Sequence, residues 1–364
     1  MIEKVKLKIT TVTPVTIGSG AELSPYSDYV IDSKQVCFID KKKMQDKILQ
    51  KGDRYLDLYI QGVAMGIDNN RSTFDLKSFL TTNQIIKRTD EVISYSCPFI
   101  GKADSKLSIK GVIKSPLQEP YFPGSSIKGA LKTVLMYNWL KTNKKADETI
   151  ERVINGSSFD FLEKQFEYKE DEITHNVIRR NTIQQVTDSS QILKESIVVV
   201  DCFRKMLIRF ECIAKGNTSE FELTLENYKW EDLAKQANEY AKDVLGREFE
   251  LIGEDSKLTK YYNYLVDIED KISEVNDNAA YFRVGFGKGY YLNSLGIAIY
   301  DYVSQKGKED LYDKFEDFIN VNFARKDKYG QKQKIELEGF PKTRLFVTKT
   351  QEPLGWIKIE RLNK

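Results

Sequence analysis

Histidine is almost absent from this chain of 364 residues, because His175 is the single one. The four cysteines form no Cys-x-x-Cys pair. A zinc finger and a two-histidine ribonuclease mechanism need ligands or proton carriers that this sequence does not contain. We therefore expect no metal and no cofactor, and His175, in a polar stretch, is predicted to be a surface residue. The scattered cysteines are typical of buried apolar residues in a reducing compartment.

A large net charge and long apolar runs are also missing. Lys and Arg number 56 against 54 Asp and Glu, which leaves a formal net charge of +2, so any anion-binding surface must be local. No apolar run approaches the roughly 18 residues that span a bilayer. The charged first 14 residues lack the apolar core of a signal peptide. These absences predict a soluble, cytoplasmic protein with no membrane partner.

The residues that are present alternate and repeat in ways typical of mixed structure. Val5, Leu7 and Ile9 alternate with lysines, which predicts a half-buried first strand. Further strands are predicted near 29–39 (a hairpin), 196–201, 206–214, 219–225, 280–284, 344–348 and 356–361. Gly216–Asn217 is predicted to be a hairpin turn between the strands at 206–214 and 219–225. Helices are predicted over 41–80, from 124, over 230–275 and over 308–318, with an irregular connection over 81–122. This order predicts an α+β fold of ferredoxin-like kind, in two domains, 1–226 and 227–364.

Three glycine-rich segments lie at junctions between these elements. We call them the first (Gly18–Gly20), second (Pro123–Lys132) and third (Arg283–Tyr291) glycine segments. Their candidate RNA-binding residues are Gly18, Ser19, Gly20, Gly124, Ser125, Ser126, Lys128, Gly129, Lys132, Arg283, Gly285, Phe286, Gly287, Lys288, Gly289 and Tyr290.

The second glycine segment opens a predicted helix, with Ser125 or Ser126 as its cap. A helix N-terminus offers free N–H groups and a partial positive charge, and Lys128 adds a full charge, so phosphate is a natural ligand. The segment is not a Walker A loop, because Ala130 and Leu131 follow Gly129 where Lys and Ser/Thr are required. The same residues also fit a capped structural helix with one exposed lysine.

The third glycine segment runs G-x-G-x-G, which differs from the dinucleotide-binding G-x-G-x-x-G. Arg283 and Lys288 supply positive charge, while Phe286 and Tyr290 supply flat faces for stacking bases of a single strand. A glycine turn whose aromatic residues belong to the core is the alternative. Weaker candidates are Arg179, Arg180, Asp188 and Asp201, to which we assign no role.

Taken in order, these motifs resemble the RAMP superfamily of CRISPR systems. The match is Pro-Gly-Ser-Ser-x-Lys-Gly at Pro123–Gly129 and the glycine-rich loop at Gly285–Gly289. Thr13–Gly20 and Pro353–Ile357 resemble, more narrowly, the Csm-family subunit that caps the crRNA 3′ end in type III-A effector complexes. Family variants often have Ile where Phe122 stands and Arg where Lys132 stands, and Lys lacks the bidentate fork of Arg.

The resemblance implies RRM-like ferredoxin domains with helical insertions, and a non-catalytic subunit that binds crRNA and contributes to its maturation. It implies, as partners, crRNA, the repeated backbone RAMP subunit, the small helical subunit, target RNA and host ribonucleases. Three alternatives stay open: a metal-independent RAMP endoribonuclease that processes precursor crRNA, a Cmr-type RAMP subunit, and a nucleotide-binding metabolic enzyme.

Overall fold

A computed structural model describes residues 1–68, 74–103, 106–142, 146–156, 182–203, 207–253, 255–286, 295–324, 330, 332–341 and 344–362. Its strands are β1 Ile2–Thr11, β2 Gly18–Leu23, β3 Tyr29–Asp32, β4 Gln35–Ile39, β5 Ile93–Ile100, β6 Ile109–Val112, β7 Ile183–Val186, β8 Ile197–Phe203, β9 Leu207–Ile213, β10 Thr218–Glu226, β11 Ala279–Arg283, β12 Phe346–Val347 and β13 Trp356–Arg361. Its helices are α1 Lys41–Lys51, α2 Asp53–Asp68, α3 Leu76–Thr82, α4 Gly124–Thr142, α5 Ala146–Gly156, α6 Trp230–Ile252, α7 Thr259–Glu274, α8 Gly296–Val303 and α9 Glu309–Phe323.

The first sheet is antiparallel, with the strand order β11-β13-β1-β10-β7. As the alternation predicted, Val5, Leu7 and Ile9 are buried while Lys4 and Lys6 are exposed. Within this sheet, β1, α4, β7, β10, α6 and β13 follow a β-α-β-β-α-β order. The predicted α+β class is confirmed, and this order is compatible with a ferredoxin-like arrangement.

The main hydrophobic core lies between one face of this sheet and the helices α4, α5, α6, α8 and α9. Ile127, Leu131 and Val134 of α4 are fully buried there, at the spacing that predicted the helix. A separate cluster, which includes Tyr281 and Trp356, packs α7 against the other face near β11 and β13. Among the helices in the described ranges, none has the length and hydropathy of a bilayer-crossing segment.

The second sheet has the order β2-β6-β9-β8-β5-β4-β3, and β12 pairs with β8. The central strand β8 is apolar on both sides, because Ile197 and Val199 belong to one cluster while Val198 and Val200 belong to another. Helices α1, α2 and α3 pack over the β3–β4 hairpin in a smaller cluster of their own. The sheet therefore supports an inserted helical layer on the N-terminal half of the chain.

Two sequence-based predictions are wrong in detail. The span 81–122, predicted to be irregular, contains β5 and β6; Pro98 lies within β5, where buried Cys97 and Phe99 flank it. The turn at Gly216–Asn217 does not close a hairpin, since β9 and β10 belong to different sheets. Thr11 holds that turn by accepting a hydrogen bond from the Gly216 amide at 2.8 Å. Helix α8 was also not predicted.

The predicted boundary near residue 227 falls between β10 and α6. Strands on both sides of it pair in the first sheet, where β1 lies between β10 and β13. The division into two domains stays a prediction.

Candidate nucleic-acid interface

The third glycine segment is joined by main-chain contacts to Thr16, just before the first glycine segment. The Phe286 amide donates a hydrogen bond of 2.8 Å to the carbonyl oxygen of Thr16, two residues before Gly18. Gly285 has a φ of +74°, and a Cβ there would lie 2.1 Å from the same oxygen. Only glycine fits this approach without a shift of the backbone. Two segments that are more than 260 residues apart in the chain therefore meet at one place.

The first glycine segment begins the edge strand β2, and all three of its residues are exposed. The Ser19 hydroxyl donates to the Gly111 carbonyl oxygen at 3.1 Å, which anchors the strand to β6. Gly20 has a φ of +83°, a conformation that favours glycine. The segment thus presents main chain at the edge of the second sheet, beside the start of the third segment.

Among the described residues of this junction, Phe286 is the exposed aromatic one. Its accessible fraction is 41%, and its ring lies 4.9 Å from that of Phe210, with an angle of 45° between the planes. A large apolar ring that is supported from within the protein and open to solvent is suited to stacking a nucleobase.

Arg283 was predicted to face RNA, but the residue is buried, with 5% of its surface exposed to solvent. Its Nε donates to the Leu354 carbonyl oxygen at 3.0 Å, and its guanidinium carbon lies 5.7 Å from the centroid of the Trp356 ring. In this structure the side chain supports β11 from within. The remaining candidates of the third segment, Gly287, Lys288, Gly289 and Tyr290, lie outside the described residues.

The second glycine segment opens α4, as predicted, but its cap is different. The helix begins at Gly124, whose amide donates to the Asp188 carboxylate at 2.8 Å, so neither serine is the cap. A Cβ at Gly124 would lie 2.2 Å from the Val186 carbonyl oxygen, so glycine allows β7 to approach closely. Because a carboxylate already lies at this helix N-terminus, the Gly124 amide is not available to a phosphate.

The accessible part of this segment lies along the first turns of α4. Ser125 and Gly129 are exposed, whereas Ser126, Lys128 and Lys132 are half-buried. The Lys128 ammonium group donates to the Gln184 carbonyl oxygen at 3.0 Å, near the surface. This bond neutralises no charge, so the full positive charge of Lys128 stays close to solvent.

The second segment is connected to the first through the chain that follows β6. The Ile113 amide donates to the Ile17 carbonyl oxygen at 2.8 Å. Ile17, Phe122 and Ile127 then belong to the same core cluster. The structure therefore brings the third segment against Thr16 and Ile17, which directly precede the first segment, and packs the second segment on the same core.

The sequence motif near the C-terminus also lies at this junction. The Gly355 amide donates to the Pro14 carbonyl oxygen at 2.9 Å, and the Val284 amide donates to the Gly355 carbonyl oxygen at 2.8 Å. Gly355 has a φ of +88°, and a Cβ would lie 2.5 Å from the Val284 carbonyl oxygen. This motif was used in the sequence analysis only as part of the family resemblance. Gly355 was the residue in it that could have indicated the junction, because glycine is needed where two backbones approach closely.

A family model described as the RAMP superfamily matches residues 8–309 of this sequence. The chain belongs to the RAMP superfamily. This confirms the resemblance that the glycine segments indicated.

Two curated relatives of this RAMP protein carry the name "CRISPR system Cms protein Csm5". The one from Methanocaldococcus jannaschii is 24% identical over 398 residues, covering 97% of this chain and 88% of the relative. The one from Streptococcus thermophilus is 29% identical over 148 residues, covering 38% of this chain and 40% of the relative.

Two solved structures share the fold. A chain in the cryo-EM structure of a Csm–crRNA–target RNA ternary complex of a type III-A CRISPR-Cas system has a TM-score of 0.66 and 18% identity, covering 98% of this chain and all of that chain (100%). The crystal structure of T. onnurineus Csm5 has a TM-score of 0.63 and 16% identity, covering 96% and 99% of the two chains.

The face of the first sheet opposite the main core is not a stacking platform of the usual RRM kind, because α7 covers its β11–β13 end, where the aromatic residues Tyr281 and Trp356 are buried. Its described part carries lysines on β1 opposite glutamates on β10 and β13. The ammonium nitrogen of Lys6 lies 3.7 Å from a carboxylate oxygen of Glu222, and that of Lys8 lies 2.8 Å from a carboxylate oxygen of Glu360. These opposite charges cancel, and an RRM would place aromatic side chains here. Among the described residues of the glycine segments, the exposed aromatic side chain is Phe286, which packs on Phe210 of β9 in the second sheet.

The remaining candidates from the sequence either have structural roles or lie outside the residues that the structure describes. Asp201 is fully buried and binds the Arg209 guanidinium at 2.6 and 3.1 Å. Asp188 caps α4. His175, Arg179 and Arg180 lie outside the described residues. Within the described ranges, no group of three or more His, Cys, Asp or Glu side chains is arranged to hold a metal ion.

Proposed function

We propose that this chain is a crRNA-binding structural subunit of a type III-A CRISPR (Csm) effector complex, which caps the filament at the crRNA 3′ end. The observation that carries the proposal is the junction of the first and third glycine segments, with Phe286 exposed beside it. Membership of the RAMP superfamily and the relatives named Csm5 support it. So does the shared fold with a chain of a Csm–crRNA–target RNA complex.

The junction supplies two kinds of RNA contact. Exposed main chain at Gly18–Gly20, with the charge of Lys128 on the same core, suits the sugar-phosphate backbone. Phe286 suits a base that is stacked out of the strand. Lys132, and Gly287, Lys288, Gly289 and Tyr290 of the third segment, extend the proposed contact set. Arg283 is left out of it because it is buried.

Contacts of this kind do not read sequence, because every nucleotide has a phosphate and a flat base. A subunit that holds guides of different sequence needs this property. We propose that it acts in the cytoplasm with the repeated backbone RAMP subunit, the small helical subunit and target RNA. Its contribution to crRNA maturation is to cover the 3′ region and to set where host ribonucleases stop.

We propose that the chain is not an enzyme. The described carboxylates that sequence reasoning considered, Asp188 and Asp201, are held by the protein's own donors. Burial, followed by the neighbouring Glu211 carboxylate, raises the pKa of the Tyr95 hydroxyl well above its ordinary value, so that hydroxyl stays protonated near neutral pH and does not accept a proton. No observation on the described residues favours the endoribonuclease alternative.

The test is assembly of the complex on a crRNA with and without this chain. We expect its omission to leave the backbone filament intact but to expose the crRNA 3′ region to added ribonuclease. Wild-type chain should restore a protected 3′ end of fixed length, and Phe286→Ala should restore it less well. Equal 3′ protection with and without the chain would contradict the capping role.

A control variant separates RNA contact from folding. Phe203 resembles Phe286 in that it is 46% exposed and packs against another phenylalanine, Phe346, with 6.2 Å between the two ring centroids. Phe203 lies at the end of β8, outside the glycine segments. Phe203→Ala should therefore protect the crRNA 3′ region as well as the wild type does.

A further inference from the structure

Three paired residues form a row across the second sheet. Glu22 of β2 pairs with Lys110 of β6 in an antiparallel ladder, and Lys110 pairs with Phe210 of β9 in a parallel ladder. Directly paired residues of neighbouring strands project from the same face of a sheet. The side chains of Glu22, Lys110 and Phe210 therefore lie side by side on one face.

Phe286 packs onto this row. Its ring lies against that of Phe210, with 4.9 Å between the centroids. Of the two residues that flank Phe210 across the sheet, Val200 is fully buried in a core cluster, whereas the Lys110 side chain is 43% exposed. An exposed ring and an exposed cation thus adjoin the same buried phenylalanine.

The Lys110 ammonium group is held by a carboxylate. Its nitrogen lies 3.0 Å from a carboxylate oxygen of Glu22, at the surface. The hydrogen bond and the charge of Lys110 lower the pKa of Glu22, so the carboxylate is ionised at neutral pH. An exposed ion pair of this kind contributes little to stability. A phosphate group presents the same kind of anionic oxygens, so it can displace Glu22 at small cost.

We infer that Lys110 binds a backbone phosphate of the RNA nucleotide whose base stacks on Phe286, and that Glu22 holds Lys110 until that phosphate displaces it. This assignment rests on the proposed function, because it takes Phe286 as an RNA contact. The base and the phosphate of a nucleotide are joined through one sugar, which suits a ring and a cation that flank one residue. Displacement of Glu22 opposes the binding of every RNA equally, so it favours a strand that other subunits also hold.

The test is the affinity of the purified full chain for a labelled, single-stranded crRNA 3′ fragment, measured by fluorescence anisotropy at several salt concentrations. Glu22→Gln removes the competing carboxylate and should bind about twofold to fivefold more tightly than the wild type, a factor typical of one exposed ion pair. Lys110→Ala should bind more weakly than the wild type. In the Glu22→Gln background, Lys110→Ala should also reduce the slope of log affinity against log salt concentration by about one unit, because one phosphate contact is lost.

A second exposed ion pair is the matched control. The Lys77 nitrogen lies 3.3 Å from a carboxylate oxygen of Asp32, and the two side chains are exposed to a similar degree as those of Lys110 and Glu22. Asp32 belongs to β3, at the opposite edge of the second sheet from β2. Asp32→Asn removes one negative charge, as Glu22→Gln does, and should bind RNA as the wild type does.

The outcomes separate this assignment from the proposed function. If Phe286→Ala weakens binding while Lys110→Ala binds as the wild type does, the proposed function stands and the role of Lys110 is refuted. An equal gain in affinity for Glu22→Gln and Asp32→Asn is an effect of net charge and would overturn the role of Glu22. If Phe286→Ala and Lys110→Ala both bind as the wild type does, the proposed function fails together with the assignment.

Discussion

Substitution of Gly285 by alanine tests the junction of the first and third glycine segments. The new Cβ would lie 2.1 Å from the Thr16 carbonyl oxygen, so the two main chains must separate. The φ of +74° adds the strain of a left-handed conformation, about 1–2 kcal/mol for a residue with a Cβ. Relief of the clash costs a further ~1–3 kcal/mol, as in other overpacked sites. The total is about 2–5 kcal/mol.

Gly307→Ala is the matched control. Gly307 has a φ of +86°, but nothing lies within 4 Å of the position its Cβ would take. It therefore carries the backbone strain of about 1–2 kcal/mol without the clash. Urea unfolding of the two variants, followed by circular dichroism, measures the difference. If Gly285→Ala is no less stable than Gly307→Ala, the close approach of the two segments is not a feature of the folded protein.

Three further predictions concern charge. Lys128→Ala should reduce the slope of log RNA affinity against log salt concentration by about one unit. Lys6→Ala is the control and should leave the slope unchanged, because the Lys6 ammonium group lies beside Glu222. Binding titrations at several salt concentrations measure both slopes. Asp188→Ala removes the cap of α4 and should destabilise the chain by about 1–2 kcal/mol in urea unfolding, and a smaller loss would contradict the cap. The Lys47 ammonium group, helped by the Arg88 and Lys87 amides, lowers the pKa of Glu91 from 4.5 to about 2. A depressed pKa gives stability that is present above pH 4.5 and is lost as the pH falls towards 2, so Glu91→Gln should weaken the acid dependence of unfolding over that window.

Local pattern predicted most regular elements, because burial on one face repeats at the period of the element. The alternation of Val5, Leu7 and Ile9, and the helical spacing of Ile127, Leu131 and Val134, are of this kind. The pattern failed at β5, since Pro98 is usually a sign of irregular structure. It also failed at Gly216–Asn217, because local sequence does not show which sheet each of two adjacent strands joins.

The candidate site was predicted as three separate segments, and composition could not show which of them meet. The contact of Gly285 with Thr16, and the position of Gly355 beside them, depend on strands that are far apart in sequence. The cap of α4 shows the same limit. Its carboxylate comes from Asp188, 64 residues beyond Gly124, while local rules pointed to a serine.

The most direct test of the account is the affinity of the purified chain for crRNA in two phenylalanine variants. Fluorescence anisotropy with a labelled 3′ fragment would measure the Kd of the wild type, Phe286→Ala and Phe203→Ala at one salt concentration. We predict that Phe286→Ala loses about 1–3 kcal/mol of binding free energy at an unchanged urea midpoint, while Phe203→Ala binds as tightly as the wild type. Equal affinity of Phe286→Ala and the wild type would contradict the placement of RNA at this junction.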